Sequence, residues 1–160
     1  MATLADLGLK NRLFMAAYRY RVVDPVPFAR PRRALREARV ALVTTGGLHA
    51  PDQEPFDTSK KGGDVSFRVI SKDADLAALG IAHKSDAFDP RGFRADRNLG
   101  FPLGRLREME KAGAIGSLAS RALSFMGSIS APLRLVKETA PAATALLEAD
   151  GVDVALLVPL

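Results

Sequence analysis

The stretch Arg39-Val-Ala-Leu-Val-Thr-Thr45 decides the fold. It is apolar without alternation, which is typical of a strand covered on both faces, and the pair Gly46-Gly47 ends it. A second run of this kind, Val152-Asp-Val-Ala-Leu-Leu-Val158, comes near the end of the sequence. Between the two runs, residues 102–112 carry apolar side chains on one helical face. The order of strand, helix and strand predicts an α/β fold of the three-layer type, built on a parallel sheet.

The two strands are expected to lie parallel in one sheet, with the helix at 102–112 packed on it. The strand at 152–158 is among the most apolar segments, yet only two residues follow it in the sequence. A buried strand without a following helix leaves part of one sheet face uncovered. We therefore predict a sheet that is incomplete at its C-terminal end.

Weaker patterns predict the remaining elements. Apolar residues recur at helical spacing between residues 4 and 22, and prolines end that helix. Residues 115–128 mix Gly and Ser with apolar residues and receive no assignment. The other predictions are a short helix at 32–37, an edge strand at 65–70, a helical turn at 75–79, a buried strand at 80–83, a helix from 130 to 147 that Pro141 either kinks or splits, and irregular polar stretches at 48–64 and 84–100.

Charge is unevenly distributed along the chain. Residues 1–39 hold nine basic and three acidic residues, whereas the remainder holds fourteen basic and fifteen acidic ones. We therefore predict a basic, helical N-terminal arm at residues 1–37 and an α/β domain at 38–160. Such an arm is either a solvated helix face or a contact surface for RNA, anionic lipid or an acidic partner.

Composition excludes several classes of protein. The 160 residues make about one domain, and they include no cysteine, which excludes disulfides, thiolate metal sites and a cysteine nucleophile within this sequence. The absence of Trp, with only two Tyr, argues against base stacking on nucleic acid. No apolar run approaches the ~20 residues that span a membrane. We expect a cytoplasmic protein that binds neither membrane nor nucleic acid.

The turn after the first strand is the first candidate site. Thr44, Thr45, Gly46, Gly47 and His49 lie within six residues. Two glycines allow a sharp turn that brings backbone amides close to an anion or a carboxylate, while the hydroxyls and the imidazole donate or accept hydrogen bonds. This pattern is that of a substrate-binding turn, with a plain tight turn as the alternative. Since no Gly-Lys-Ser/Thr follows, it is not a phosphate-binding loop.

Two further groups of residues extend this candidate site. The segment Asp52-Gln-Glu-Pro-Phe-Asp57 holds three carboxylates, of which Glu54 is central. Together with His49 or His83, these carboxylates are suited to bind an amine or a cation, or to act as acid and base; a solvated loop is the alternative. Their spacing matches no standard ligand pattern, so no metal site is predicted.

Several blocks, taken in their order along the chain, resemble one family. The likeness covers about residues 38–160 and is to selenoprotein B of the glycine/sarcosine/betaine reductases and D-proline reductases. The blocks are Val40-Ala-Leu-Val-Thr-Thr-Gly-Gly-Leu-His49, Asp52-Gln-Glu-Pro-Phe-Asp57, Gly80-Ile-Ala-His83, Asn98-Leu-Gly-Phe-Pro-Leu-Gly-Arg-Leu-Arg-Glu108, Gly113-Ala-Ile-Gly116, Ser124-Phe-Met-Gly127 and Gly151-Val-Asp-Val-Ala-Leu-Leu-Val-Pro159.

The resemblance implies a particular chemistry. In that family a selenocysteine or cysteine follows shortly after the strand similar to 152–158, and its selenol is thought to attack the substrate carbon. A partner subunit binds the small amine substrate through a pyruvoyl group, and thiols then reduce the enzyme. The redox residue is therefore expected just after Leu160, and none is expected within this sequence. The residues expected to bind substrate are Thr44, Thr45, Gly46, Gly47, His49, Glu54 and His83.

Three interpretations of the chain follow. It is the N-terminal part of a redox subunit whose gene was read as ending at a selenocysteine codon, a short non-redox domain that binds a small amino acid or carboxylate, or an assembly subunit with a basic arm. DNA sequence beyond codon 160 distinguishes them, because an in-frame UGA followed by open coding sequence supports the first.

Overall fold

The N-terminal part of the chain contains one short helix. The computed structural model describes residues 8–18, 22–85 and 88–160, and contacts divide the chain into two units, Met1–Arg30 and Pro31–Leu160. In the first unit, α1 spans Leu9–Ala17 and has no side-chain cap. The predicted helix at 4–22 is therefore longer than the one observed, because Tyr18 is already extended. Residues 4–7 and 19–21 of that prediction lie outside the described residues.

The second unit is built on a sheet with β1 at its centre. β1 (Arg39–Thr44) pairs in parallel with β7 (Val154–Val158) along one edge. Its other edge pairs in parallel first with β5 (Ser117–Leu118) and then with β6 (Arg121–Phe125). β3 (Phe67–Ser71) runs antiparallel to β6 and forms the outer edge of the sheet. The predicted parallel pairing of the first and last strands is confirmed, while β3 makes the sheet mixed rather than purely parallel.

Helices cover both faces of this sheet. Successive residues of a strand point to opposite faces, so Val40 and Leu42 share one face and Val43 lies on the other. The first face packs on α3 (Leu103–Lys111), whose Leu103 and Leu106 belong to the same buried cluster. Val43 packs with the second cluster, to which α4 (Ala140–Ala149) contributes. The α/β arrangement is therefore confirmed, as is the helix predicted at 102–112.

The strand β6 contributes a run of buried residues to the core, although its sequence shows no clear strand pattern. Ala122, Leu123, Ser124 and Phe125 are all buried. The polar member of this run is tolerated because the Ser124 hydroxyl accepts a hydrogen bond from the Leu48 backbone N–H at 2.8 Å. A serine whose hydrogen bond is satisfied by a distant strand cannot be recognised as a core residue from local sequence.

Several of the weaker predictions are wrong in detail. Residues 32–37 form bends and a turn rather than a helix, whereas the turn predicted at 75–79 is present, with the Ala78 N–H donating to the Asp75 carbonyl at 3.2 Å. The predicted buried strand at 80–83 is the half-buried pair Gly80–Ile81 (β4), which pairs antiparallel with β2 (Leu48–His49) in a separate small sheet. Too few residues pair here to bury a full strand.

The second irregular stretch is partly helical. α2 (Pro90–Ala95) begins where the Asp89 side chain accepts a hydrogen bond from the Arg91 backbone, and Pro90 occupies a position that needs no intrahelical donor. A 3₁₀ turn follows at Arg97–Leu99. Caps of this kind can start a short helix in a segment that lacks apolar periodicity.

The predicted kink at Pro141 takes the form of a π-helical segment. This segment spans Leu135–Thr139 and leads directly into α4. Proline has no backbone N–H and its ring crowds the preceding turn, so a local widening of the helix accommodates it.

The last strand is an edge strand and not a buried one. Leu156 is 40% exposed and Leu157 is 67% exposed. Beside it, an apolar groove of about 440 Å³ lies between β7 and α4 and is lined by residues such as Val43 and Leu147. The prediction of a sheet that remains open next to its last strand agrees with this exposure.

The loop at 57–66 is held by one buried carboxylate. Asp64 is 3% exposed and accepts hydrogen bonds from the Asp57 backbone, the Ser66 backbone and the Ser66 hydroxyl, at 2.7–3.0 Å. Burial by itself raises the pKa of Asp64, but these hydrogen bonds and the Lys60 ammonium outweigh it and lower the pKa to about 2. The folded state therefore favours the carboxylate form.

We predict that Asp64→Asn lowers the free energy of unfolding by about 2 kcal/mol at neutral pH. Since the pKa falls from 3.8 to about 2 on folding, this stabilisation is complete above pH 3.8 and is lost as the pH falls towards 2. Denaturant unfolding of both proteins at several pH values measures the difference. The matched control is the exposed Asp73→Asn, and an equal loss of stability there, or a difference that persists at pH 2, contradicts the prediction.

Candidate functional site

The carboxyl ends of β1 and β7 are joined by one threonine. The Thr45 backbone N–H donates to the Val158 carbonyl at 3.2 Å. The Thr45 hydroxyl accepts from the Leu160 N–H at 2.8 Å and lies 3.3 Å from the Leu160 carbonyl oxygen. These contacts fix the direction in which the chain leaves the sheet. Thr45 therefore lies at the carboxyl end of β7.

Two glycines make room for the Leu160 side chain. A Cβ on Gly46 would lie 2.8 Å from both Leu160 Cδ1 and the Phe93 ring, and a Cβ on Gly100 would lie 2.3 Å from Leu160 Cδ1. Both distances are shorter than real Cβ atoms tolerate. Glycine is thus required at these positions for close approach, and Leu160 anchors the end of β7 among them.

The imidazole of His83 lies at the same end of the sheet. Its Nδ1 accepts a hydrogen bond from the Ser85 N–H at 3.1 Å, and its ring stacks on Phe88 with centroids 4.3 Å apart. Its Nε2 is buried and has no hydrogen-bond partner among the described residues. Because burial lowers the pKa of His83 and Nδ1 serves as an acceptor, the ring is neutral at pH 7 with its proton on Nε2.

The space around Gly127 identifies the groups that lie near the His83 Nε2 proton. A Cβ on Gly127 would lie 2.4 Å from His83 Nε2 and 3.1 Å from the Leu160 carbonyl oxygen. The imidazole donor and the end of β7 therefore approach the same point. Only a glycine permits both to be so close to the backbone.

The backbone amides of the glycine turn do not form the predicted anion site. Gly46 N–H donates to the Thr44 hydroxyl at 3.1 Å, and Gly47 N–H donates to the Phe125 carbonyl at 2.8 Å. The buried Thr44 hydroxyl in turn donates to the Gly100 carbonyl at 2.7 Å. Since these donors are already used within the fold, the turn positions side chains and offers no free amides to a ligand.

The structure separates two of the predicted residues from this cluster. The His49 ring packs over Gly80, and its Nδ1 lies 3.1 Å from the Ala50 carbonyl. Glu54 is exposed, and it is its backbone carbonyl that accepts from Arg68. Within the described part of the chain, no hydrogen bond connects either side chain to residues 154–160. The fold brings together Thr45, Gly46 and His83, and we call these residues, with Gly100, Gly127 and Leu160, the terminal cluster.

Sequence reasoning missed Gly100 and Gly127 as members of the terminal cluster. Both occur in blocks that carried the family resemblance, Asn98-Leu-Gly-Phe and Ser124-Phe-Met-Gly127. An isolated glycine has many causes, so its contact with Leu160 or His83 could not be read from those blocks.

Other kinds of site find no support in the described residues. Residues 8–18, 22–85 and 88–160 contain no group of three or more His, Asp or Glu side chains placed to hold a metal ion. In the same residues, no helix is both long enough and apolar enough to cross a membrane.

A mostly parallel sheet between helices, with polar groups gathered where its strands end, defines an α/β protein. A family model described as glycine/sarcosine/betaine reductase selenoprotein B matches residues 6–159. The chain belongs to this selenoprotein B family.

Curated relatives agree with this assignment. The D-proline reductase subunit gamma of Acetoanaerobium sticklandii is 33% identical over 151 residues, a match that covers 94% of this chain and 58% of the relative. The glycine reductase complex component B subunit gamma of Peptoclostridium litorale is 31% identical over 152 residues, covering 93% of this chain and 34% of the relative. The chain thus spans between one third and three fifths of these relatives. No solved structure matches it.

We predict that Gly127→Ala lowers the unfolding free energy by about 1–3 kcal/mol, because the added Cβ must push His83 or the end of β7 aside. Gly92→Ala in α2 is the matched control, since its Cβ would meet only Leu99 Cδ1, at 3.4 Å. Denaturant unfolding of both variants measures the difference. A Gly127→Ala protein as stable as the control would show that the close approach is absent.

Proposed function

We propose that this chain is a subunit of a selenol- or thiol-dependent reductase that cleaves a C–N bond in substrates such as glycine, sarcosine, betaine or D-proline. Family membership supports a subunit of a reductase complex of this kind. The observation that carries the site is the buried His83 Nε2, which has no hydrogen-bond partner among the described residues and packs on Gly127 near the carboxyl end of β7. Ligand sites of parallel α/β sheets lie at this end of the strands.

The terminal cluster fits the redox group that the family implies. The 160 residues contain no cysteine, so the selenol or thiol comes from outside this sequence. When present, such a group supplies a soft nucleophile that thiols can regenerate. Thr45 holds the backbone of Leu160, the glycines keep the space around it free of Cβ atoms, and His83 presents a hydrogen-bond donor.

We propose that Thr45, which holds the end of β7, and His83 lie beside the bound substrate, with Thr44, Gly46 and Gly47 shaping the turn that carries Thr45. We assign no substrate contact in this chain alone to His49, whose ring packs over Gly80 and lies near the Ala50 carbonyl, or to Glu54, whose side chain is exposed.

A partner subunit completes the proposed enzyme. Relatives are named as components of multi-subunit complexes, including a sarcosine reductase component B and a betaine reductase component B of Peptoclostridium acidaminophilum. We propose that the partner of this chain carries a pyruvoyl group, which binds the amine of the substrate. A chain without cysteine that works with dithiols fits the reducing cytoplasm.

The 160-residue chain by itself is expected to reduce none of these amines with dithiol. Serine, threonine and histidine form adducts that thiol exchange does not open, and the methionine thioether has no ionisable thiol. DNA sequencing beyond codon 160, followed by expression through any in-frame UGA together with the partner subunit, is expected to yield dithiol-dependent turnover. Turnover by the 160-residue chain alone, or an inactive complete complex, contradicts the proposal.

A further inference from the structure

His83 Nε2 is a buried hydrogen-bond donor with no acceptor among the described residues. Buried polar groups in folded proteins are nearly always hydrogen-bonded, so each exception calls for an explanation. Here the explanation is not poor placement of the ring, since Ser85 holds Nδ1 and Phe88 stacks on the imidazole face. Both contacts fix the ring so that Nε2 packs against Gly127, where an added Cβ would lie 2.4 Å from Nε2 and 3.1 Å from the Leu160 carbonyl oxygen.

We propose that the His83 Nε2–H donates a hydrogen bond to the redox thiolate or selenolate at the carboxyl end of β7 and stabilises that anion. This inference rests on the proposed function, since it assumes that a chalcogen anion occupies this end of the sheet. His83 then acts as a positioning residue, because it prepares the reacting atom and does not itself react with substrate.

The surroundings of His83 suit this role. Hydrogen bonds to an anion are stronger than neutral ones, and more so where water is excluded, as it is at the buried Nε2. The neighbouring Lys84 ammonium donates to the Lys60 carbonyl. Phe88 is uncharged, and among the described residues burial accounts for the lowered pKa of the ring. A neutral donor is therefore available at pH 7.

The absence of cysteine makes a direct test possible. A single cysteine appended after Leu160 is the only thiol in the chain, and its pKa can be read from the ultraviolet absorbance of the thiolate as the pH is varied. We expect this pKa to lie below the ordinary value of about 8.5. His83→Phe keeps the stack on Phe88 but removes the donor, and it is expected to raise the thiol pKa by about one unit, which is about tenfold less thiolate at a given pH. His83→Gln retains an N–H and is expected to restore part of the effect.

The matched control places the thiol elsewhere. Leu99→Cys introduces a cysteine at a position that is 66% exposed, and its pKa is expected to be the same with and without His83→Phe. An appended thiol with equal pKa in the His83 and Phe backgrounds overturns the inference.

A second measurement, which needs no variant of His83, tests the inference if the His83→Phe protein does not fold. Nitrogen-15 NMR of the chain with its native His83 is expected to show the Nε2–H tautomer, and its Nε2 proton is expected to shift when the appended thiol ionises. The Nδ1–H tautomer, or no response to the thiol, overturns the inference. Neither readout needs reductase activity, so an inactive complex with a low thiol pKa counts against the proposed function alone. An active complex, combined with an appended thiol whose pKa does not change with His83→Phe, counts against this inference alone.

Discussion

The parallel pairing of β1 with β7 is the constraint on which the rest of the domain depends. It is locked at both ends. At the start, the Arg39 N–H donates to the Asp153 carboxylate and the Asp153 N–H donates to the Arg39 carbonyl, both at 2.9 Å. At the C-terminal end of the two strands, Thr45 hydrogen-bonds to the backbone of Val158 and Leu160. A one-residue slip would turn every side chain of β7 to the opposite face, so these two clamps set which residues reach the core and where the chain leaves it.

Close approach of backbone to side chain then builds the terminal cluster. Gly46 and Gly100 receive the side chain of Leu160, and Gly127 receives the imidazole of His83. The turn amides are consumed by hydrogen bonds within the fold, to Thr44 and Phe125. The donor left for chemistry is therefore a side chain, and its proton is placed by the acceptor role of Nδ1 and by burial rather than by a charged neighbour.

The sheet is open on the outer side of β7. β7 is exposed at Leu156 and Leu157, and an apolar groove runs between it and α4. The relatives are longer than the matched region, by nearly half of the D-proline reductase subunit and by two thirds of the glycine reductase subunit. Proposals about the complete enzyme must therefore include surfaces that these 160 residues do not provide.

Local sequence determined the elements whose residues carry their own signal. Continuous apolar runs predicted β1 and β7, a one-sided apolar face predicted α3, and the family blocks, taken in order, predicted the selenoprotein B assignment. Tertiary structure decided the features that depend on partners distant in sequence. β6 is a core strand because a serine hydroxyl finds the amide of Leu48, β7 is an edge strand because nothing pairs with its outer side among the described residues, and His83 rather than His49 reaches the end of the sheet. The sequence around a histidine does not show which distant glycine its ring will pack against, because the two chain segments meet only in the folded state.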